Sequence, residues 1–305
     1  MMPVHLLSSH AHSARAGRRY RSFVMSDVAA SSRIFTTHVG SLPRQVALLD
    51  LMKANIDGQD NQAELDSAIR QAVSQSVEEQ VAGGIDIVTD GEQSKTGFFF
   101  YVRERIEGFE PRPGAGYAAF DAEVEAFPEY YKHYFGEAML GGNLTPFVPV
   151  ACTGPVRYVG LPQDKIRYHT CYSINEGPRI HDVPFIEFVR FMLRINASNY
   201  SFEAGNVRHE HEYHLWEQVK LPEGKRLIPG VICHASNTVE HPELIAERLV
   251  RFAERVGRDN VIASVDCGFS SQATYRTEVH PTVIREKFRA LRAGAALASE
   301  RLWRD

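Results

Sequence analysis

An alternation in the second half of this 305-residue chain limits its fold more than any other feature. Short β-branched or apolar runs at 166–171, 199–204, 227–232 and 261–266 are separated by helical stretches. At or just past the end of each run stands a residue able to do chemistry: Cys171, Glu203, His234 and Cys267. Strands alternating with helices form βαβ units and a parallel sheet, and a (β/α) barrel keeps its reactive groups at the C-terminal ends of its strands. The first half extends the pattern. A strand at 34–37 is followed by a short helix carrying Leu48, Leu49 and Leu51. A long helix over 61–82 then places Leu65, Ile69, Val73 and Val77 on one face. Gly83-Gly84 ends that helix, and a strand at 85–89 empties into Asp90-Gly91-Glu92. Further helices are expected at 184–195, 210–218, 242–256 and 281–303, and a further strand at 147–152. Residues 97–146, aromatic and irregular, read as an excursion from the repeat. The expected fold class is α/β, (β/α)8 TIM-barrel-like.

Composition removes several functions. A formal net charge of −4 leaves no footprint for nucleic acid. No apolar run approaches the roughly 18 residues of a membrane span, so a soluble, cytoplasmic protein is expected. Four cysteines are too few for a disulfide scaffold, which leaves free thiols or a metal site. Residues 1–24 carry Arg15, Arg18, Arg19 and Arg21 and no acid. That composition suits an organelle transit peptide or an upstream start ahead of a natural beginning at Met25. Either way the segment is set apart, and 25–305 reads as a single barrel domain.

His169-Thr170-Cys171 puts two metal-capable side chains at i, i+2 on one strand, hence on one face. Closing the sheet would bring them to Glu203 and Cys267, a donor set suited to Zn²⁺. On spacing alone the alternative stays open, because a buried Cys often serves as a small apolar residue. Packing is the expected role of Cys152 and Cys233. His209, His211 and His214 splay around a helix, so they read as a solvated or supporting helix start rather than a shared metal site. Arg208 reads as a surface ion pair with contact to an anionic substrate as the alternative. Phe98-Phe99-Phe100-Tyr101 reads as core packing, with a pterin-stacking wall as the alternative.

Five motifs occur in order: Thr36-Thr37-His38-Val39-Gly40-Ser41-Leu42-Pro43-Arg44, Asp90-Gly91-Glu92-Gln93, Tyr168-His169-Thr170-Cys171, Tyr200-Ser201-Phe202-Glu203-Ala204 and Val265-Asp266-Cys267-Gly268-Phe269. Together they resemble the C-terminal catalytic barrel of cobalamin-independent methionine synthase, and closer still the short single-barrel proteins of that family. The resemblance implies a zinc ion held by His169, Cys171, Glu203 and Cys267. It implies Ser41 and Glu92 as binders of the thiol amino acid, and His234 as the catalytic residue near the departing pterin. The implied reaction moves a methyl group from 5-methyltetrahydrofolate, or its polyglutamate, to homocysteine. The alternatives within the resemblance are thiol alkylation of the kind run by an epoxyalkane:coenzyme M transferase, and a truncated, inactive member. Small-molecule substrates are the expected partners, with no nucleic acid and no membrane, and with homo-oligomerisation open.

The resemblance also implies a departure. Family members place two βα units between a Thr-Gly-Pro motif and the His-x-Cys strand, one of them ending in an Asp that helps hold the amino acid. Here Thr153-Gly154-Pro155 runs almost directly into the segment before Ile166. At about 30 residues per unit, roughly 60 residues are missing. The barrel is therefore expected to lack about two central βα units. The strand at 147–152 or a second subunit would then fill the gap, unless a deleted exon created it.

Overall fold

The computed structural model describes residues 31–97, 107–112, 120–135, 144, 149–157, 166–172, 177–270 and 273–304. The expectations for residues 1–24 and for Phe98-Phe99-Phe100-Tyr101 lie outside the described residues.

Helices α1 (Val46–Ile56) and α2 (Gln62–Gly83) open the described chain, and α2 stops at Gly84, whose φ of 89° only glycine adopts freely. A ribbon follows, made of β1 (Glu107–Pro111) and β2 (Val150–Arg157), with short helices α3 (Asp121–Ala126) and α4 (Pro128–His133) between them. Strand β3 (Arg167–Thr170) begins the regular repeat. Then come α5 (Phe185–Met192), β4 (Asn199–Glu203), a 3₁₀ segment at Glu210–Glu217 and β5 (Arg226–Ile232). Helix α6 (Pro242–Val256), β6 (Ser264–Val265) and α7 (Pro281–Leu302) complete the chain. Helices α6 and α7 start alike. His241 and His280 are their N-caps, each accepting a backbone N–H two residues on, and each is followed by a proline in the first turn.

Strands β3, β4, β5 and β6 form one parallel sheet in chain order. Parallel bridges extend it: Ala263 pairs with Thr36, and Thr37 with Ile87. The sheet therefore runs from the Ile87 segment through Thr36–Thr37, the β6 segment, β5 and β4 to β3. It is also curled. Arg167 of β3 donates to Thr37 Oγ1 at 3.2 Å and to the His38 carbonyl at 3.1 Å, although the β4, β5 and β6 positions intervene in the sheet. Only a sheet closing towards a barrel lets those side chains meet across its interior. Helices α6 and α7 cover its outer face, where Leu227, Val231, Ile245, Leu249, Val265 and Leu291 share one apolar core.

Three expectations need correction. Residues 147–152 were expected to be a strand of the barrel repeat. Instead β2 pairs antiparallel with β1 in a separate ribbon, with Cys152 opposite Phe109. It therefore does not replace a missing barrel strand, and among the described residues nothing joins the parallel sheet beyond Ile87 or β3. The apolar ridge Leu65, Ile69, Val73 and Val77 is not the buried face of α2. Of these only Leu65 is buried, alongside Ser76, Gln80 and Gly83. The reason is local: the Gln80 amide takes both the N–H and the C=O of Thr89, at 3.0 and 2.8 Å, which ties the helix to the strand end by polar bonds. The segment after β4 is a 3₁₀ helix rather than an α-helix. Within it and at its start, side-chain pairs form at i, i+3, His209 with Glu212 and His214 with Glu217.

Of the excursion expected at 97–146, the described helices α3 and α4 bond to the loop between β3 and α5. Glu123 accepts the N–H groups of Ile180 and His181 at 3.0 and 2.8 Å, and Tyr131 donates to the Pro178 carbonyl at 3.2 Å. On the other side Leu144 pairs with Ala273, which pairs with Thr96. No helix among the described residues is long and apolar enough to cross a membrane.

Candidate active site at the strand ends

The parallel register fixes who meets whom. His169 lies opposite Ser201 on β4, and Glu203 opposite Gly230 on β5. Strands β5 and β6 come together so tightly at Gly230 that a β-carbon there would stand 2.3 Å from the Asp266 Cα. Gly268 is a second close approach, since a β-carbon there would stand 2.3 Å from the Ser41 nitrogen. Through it the loop after Cys267 presses directly on the first motif, and Ser270 N–H bonds the Ser41 carbonyl at 3.2 Å.

These contacts gather three of the four expected ligands. One donor atom from each of His169, Cys171 and Cys267 lies within 4.8 Å of the other two, close to the spacing of about 3.5–4 Å that tetrahedral zinc sets between ligand atoms. The His169 imidazole is held from one side only. Its Nδ1 pairs with Ser201 Oγ at 3.1 Å, while Nε2 is buried without a hydrogen-bond partner. A ligand histidine whose other nitrogen is held in this way keeps its ring oriented. The thiols influence each other. A hydrogen bond between them and the nearby Glu203 push Cys171 well above the ordinary thiol range. The same bond holds Cys267 well below it, against burial and with help from His169 and His234.

Glu203, the fourth expected ligand, stands beside Cys171 but outside that group of three. Its carboxylate accepts the Tyr172 N–H at 2.8 Å and the Asn206 amide at 3.2 Å. His234 is buried just past β5, with neither ring nitrogen hydrogen-bonded, close enough to Cys267 to act on its charge. Ser41 donates to Glu92 Oε2 at 2.5 Å, and Lys95 pairs with Glu92 Oε1 at 2.7 Å. Glu92 has a positive φ of 53°, uncommon away from glycine. Buried Arg44 supports that turn by donating to the carbonyls of Glu92 and Lys95, both at 2.6 Å.

Other expectations resolve as follows. Cys233 is buried, but Cys152 is exposed, because its ribbon lies off the core. His209 is buried rather than solvated. Its ring lies 3.6 Å from that of Tyr172, with Nε2 on Asp182 at 3.1 Å and Nδ1 on Glu212 at 2.9 Å. Burial alone would lower its pKa, yet the two carboxylates raise it to about 9. His211 and His214 are exposed, whereas His209 is buried. Arg208 pairs with Asp182 and is largely buried.

Two residues escaped sequence reasoning although their motifs were in view. His38 is fully buried, stacked on Phe269 at 5.7 Å and edge-on to Phe288 at 5.6 Å, and burial pushes its pKa down to about 3. Asp266 accepts the N–H groups of Ala204 and Gly205, both at 2.8 Å, and so ties the end of β4 to β6. Burial, then Glu203, push its carboxyl well above the usual range. The signal for Asp266 was its place immediately before Cys267; for His38 there was none beyond the motif.

The curled parallel α/β sheet thus carries at its strand ends a His, Cys, Cys group able to hold a metal ion. The family described as cobalamin-independent synthase, catalytic domain, matches residues 34–117. A methionine synthase of Sulfolobus acidocaldarius is 35% identical over 74 residues, which is 24% of this chain and 22% of that protein. A 5-methyltetrahydropteroyltriglutamate–homocysteine methyltransferase of Nitratidesulfovibrio vulgaris is 32% identical over 73 residues, 24% of this chain and 9% of that one. Over residues 34–117, therefore, the chain is similar to the catalytic domain of cobalamin-independent synthases. The match spans less than a quarter of either curated relative. A B12-independent methionine synthase from Shewanella sp. W3-18-1, solved in complex with selenomethionine, shares the fold. Its TM-score is 0.54 at 16% identity, covering 88% of this chain and 99% of that one.

Proposed function

We propose that residues 25–305 act as a single zinc-dependent methyltransferase domain, with homocysteine as acceptor and a 5-methyltetrahydropteroyl glutamate as methyl donor. The observation that carries this reading is the convergence of His169 and Cys171, from the end of β3, with Cys267, just past β6, His169 Nε2 having no hydrogen-bond partner. The donor set fits zinc, and Glu203 beside it would complete the ligands by exchanging its bonds to Tyr172 and Asn206. Bound there, zinc would supply acidity to the substrate thiol, which is otherwise mostly protonated at neutral pH.

The chain's own residues supply the rest. Glu92, held between Ser41 and Lys95, presents a carboxylate to the amino group of the acceptor. His234 stands beside Cys267 with an imidazole that no protein group occupies. As the sulfur–carbon bond forms and the carbon–nitrogen bond of the donor breaks, the pterin nitrogen needs a proton, which His234 would give.

The test is zinc content of the purified protein beside Cys267→Ser, with zinc-edge absorption recorded as homocysteine is added. Stoichiometric zinc that is lost in the variant and gains a sulfur neighbour with homocysteine is the expected result. Zinc absent, or indifferent to the thiol, overturns the reading in favour of an inactive family member.

A further inference from the structure

We propose that Lys287 and Glu240 form a positioning pair that sets where the His234 imidazole stands at the barrel mouth. The proposal rests on the reading of His234 above and goes beyond it to the groups that aim it.

Strand β5 ends at Ile232. The next residue, Cys233, has both backbone groups taken by side chains from elsewhere in the fold. Its N–H donates to Glu240 Oε1 at 2.7 Å, and its carbonyl accepts from Lys287 Nζ, on α7, at 3.0 Å. Lys287 and Glu240 then close the triangle at 2.9 Å, with the lysine side chain 0% exposed and the glutamate 9%. Cys233 Sγ also accepts the Ala235 N–H at 3.4 Å. Further out, Asn237 donates to the Glu278 carbonyl and accepts the His280 N–H, both at 2.9 Å. The loop carrying His234 is thus fastened to α7 from end to end.

Two physical arguments give this a purpose. A largely buried Lys–Glu pair is a poor way to stabilise a core, since apolar residues of like volume serve as well or better. What such a pair offers is direction. A peptide unit is planar, so holding the Cys233 carbonyl also fixes the His234 nitrogen and Cα. The His234 ring has no hydrogen bond of its own, so its position follows from its backbone and its packing. A displacement of about 1 Å at a reacting group costs on the order of 10²-fold in rate.

The experiment compares K287M, E240Q and the double variant as full-length, zinc-loaded protein. It measures thermal midpoint, kcat and KM for homocysteine, and the histidine ring resonances, with His234 assigned through H234N. K287M alone leaves a carboxylate buried without its cation and lowers the midpoint, whereas the double variant recovers it. For a positioning pair, the double variant still loses about 10²-fold in kcat with KM unchanged, and its His234 resonances stay shifted while those of exposed His214 do not. A double variant that regains both kcat and the wild-type His234 resonances overturns the proposal. If the wild type transfers no methyl group, the methyltransferase reading fails separately, and the His234 resonances alone decide the positioning claim.

Discussion

Strands β3 and β5 do matching work and are supported very differently. Each delivers reactive residues at its C-terminal end, His169 and Cys171 from β3 and His234 from β5. β5 is flanked by β4 and β6, and all but its first residue are buried; all four residues of β3 are half-exposed, and Cys171 just beyond is exposed. Ligands from the enclosed part of the sheet, such as buried Cys267, are held by global packing. Those from β3 are held by a few specific bonds: Ser201 on His169, Glu203 on the Tyr172 amide, Arg167 across to Thr37. The metal-capable group spans the most and the least enclosed parts of one sheet, so metal binding should matter most to β3.

The sharpest test of the enclosed side is Gly230→Ala. With Asp266 backbone atoms within 2.5 Å of the added carbon, the substitution should cost roughly 3 kcal/mol or more, read by chemical denaturation. Gly58→Ala, also at positive φ but with open space around it, should cost only about 1 kcal/mol. Hydrogen exchange gauges the contrast itself. Amides of β3 should exchange faster than those of β5 by at least an order of magnitude, and added zinc should slow β3 more than β5. Equal protection in the two strands would dissolve the comparison.

His209 tests the support behind β3, because its ring stacks on Tyr172. Its pKa is raised to about 9 from the ordinary 6.5. The associated stability is therefore fully present below about pH 6.5 and is lost as pH rises through about 9. Denaturation midpoints of wild type should fall across that window, and His209→Gln should flatten the fall while lowering stability by about 2 kcal/mol at pH 6. The smallest effect belongs to Arg33→Ala. Its ion pair with Asp86 lies at the surface, and its loss should cost no more than about 1 kcal/mol.

Local rules made much of this legible from residues alone. The boundaries of α6 and the start of α7 follow from a proline in the first turn after an N-cap, and the end of α2 from Gly83-Gly84. The i, i+2 spacing of His169 and Cys171 put them on one face, and the ordered motifs named Cys267, Glu203, Ser41 and Glu92. Periodicity misled at α2, where the apolar ridge is half-covered and the buried face is polar and small. It also misled at 147–152, because a β-rich run carries no sign of whether its partner is parallel or antiparallel.

The sequence by itself determined the α/β alternation, the strand ends as the seat of chemistry, and the residue types able to hold a thiol-loving metal. Only the tertiary structure decided that three of those four residues form one close group while Glu203, beside Cys171, bonds the Tyr172 amide and Asn206. It alone showed that His209 is caged by two carboxylates and that Lys287, 54 residues from Cys233, grips its carbonyl. The physical reason is range. Caps, periodicity and turns act within a few residues, whereas these arrangements depend on which distant side chains the curled sheet brings into one small volume.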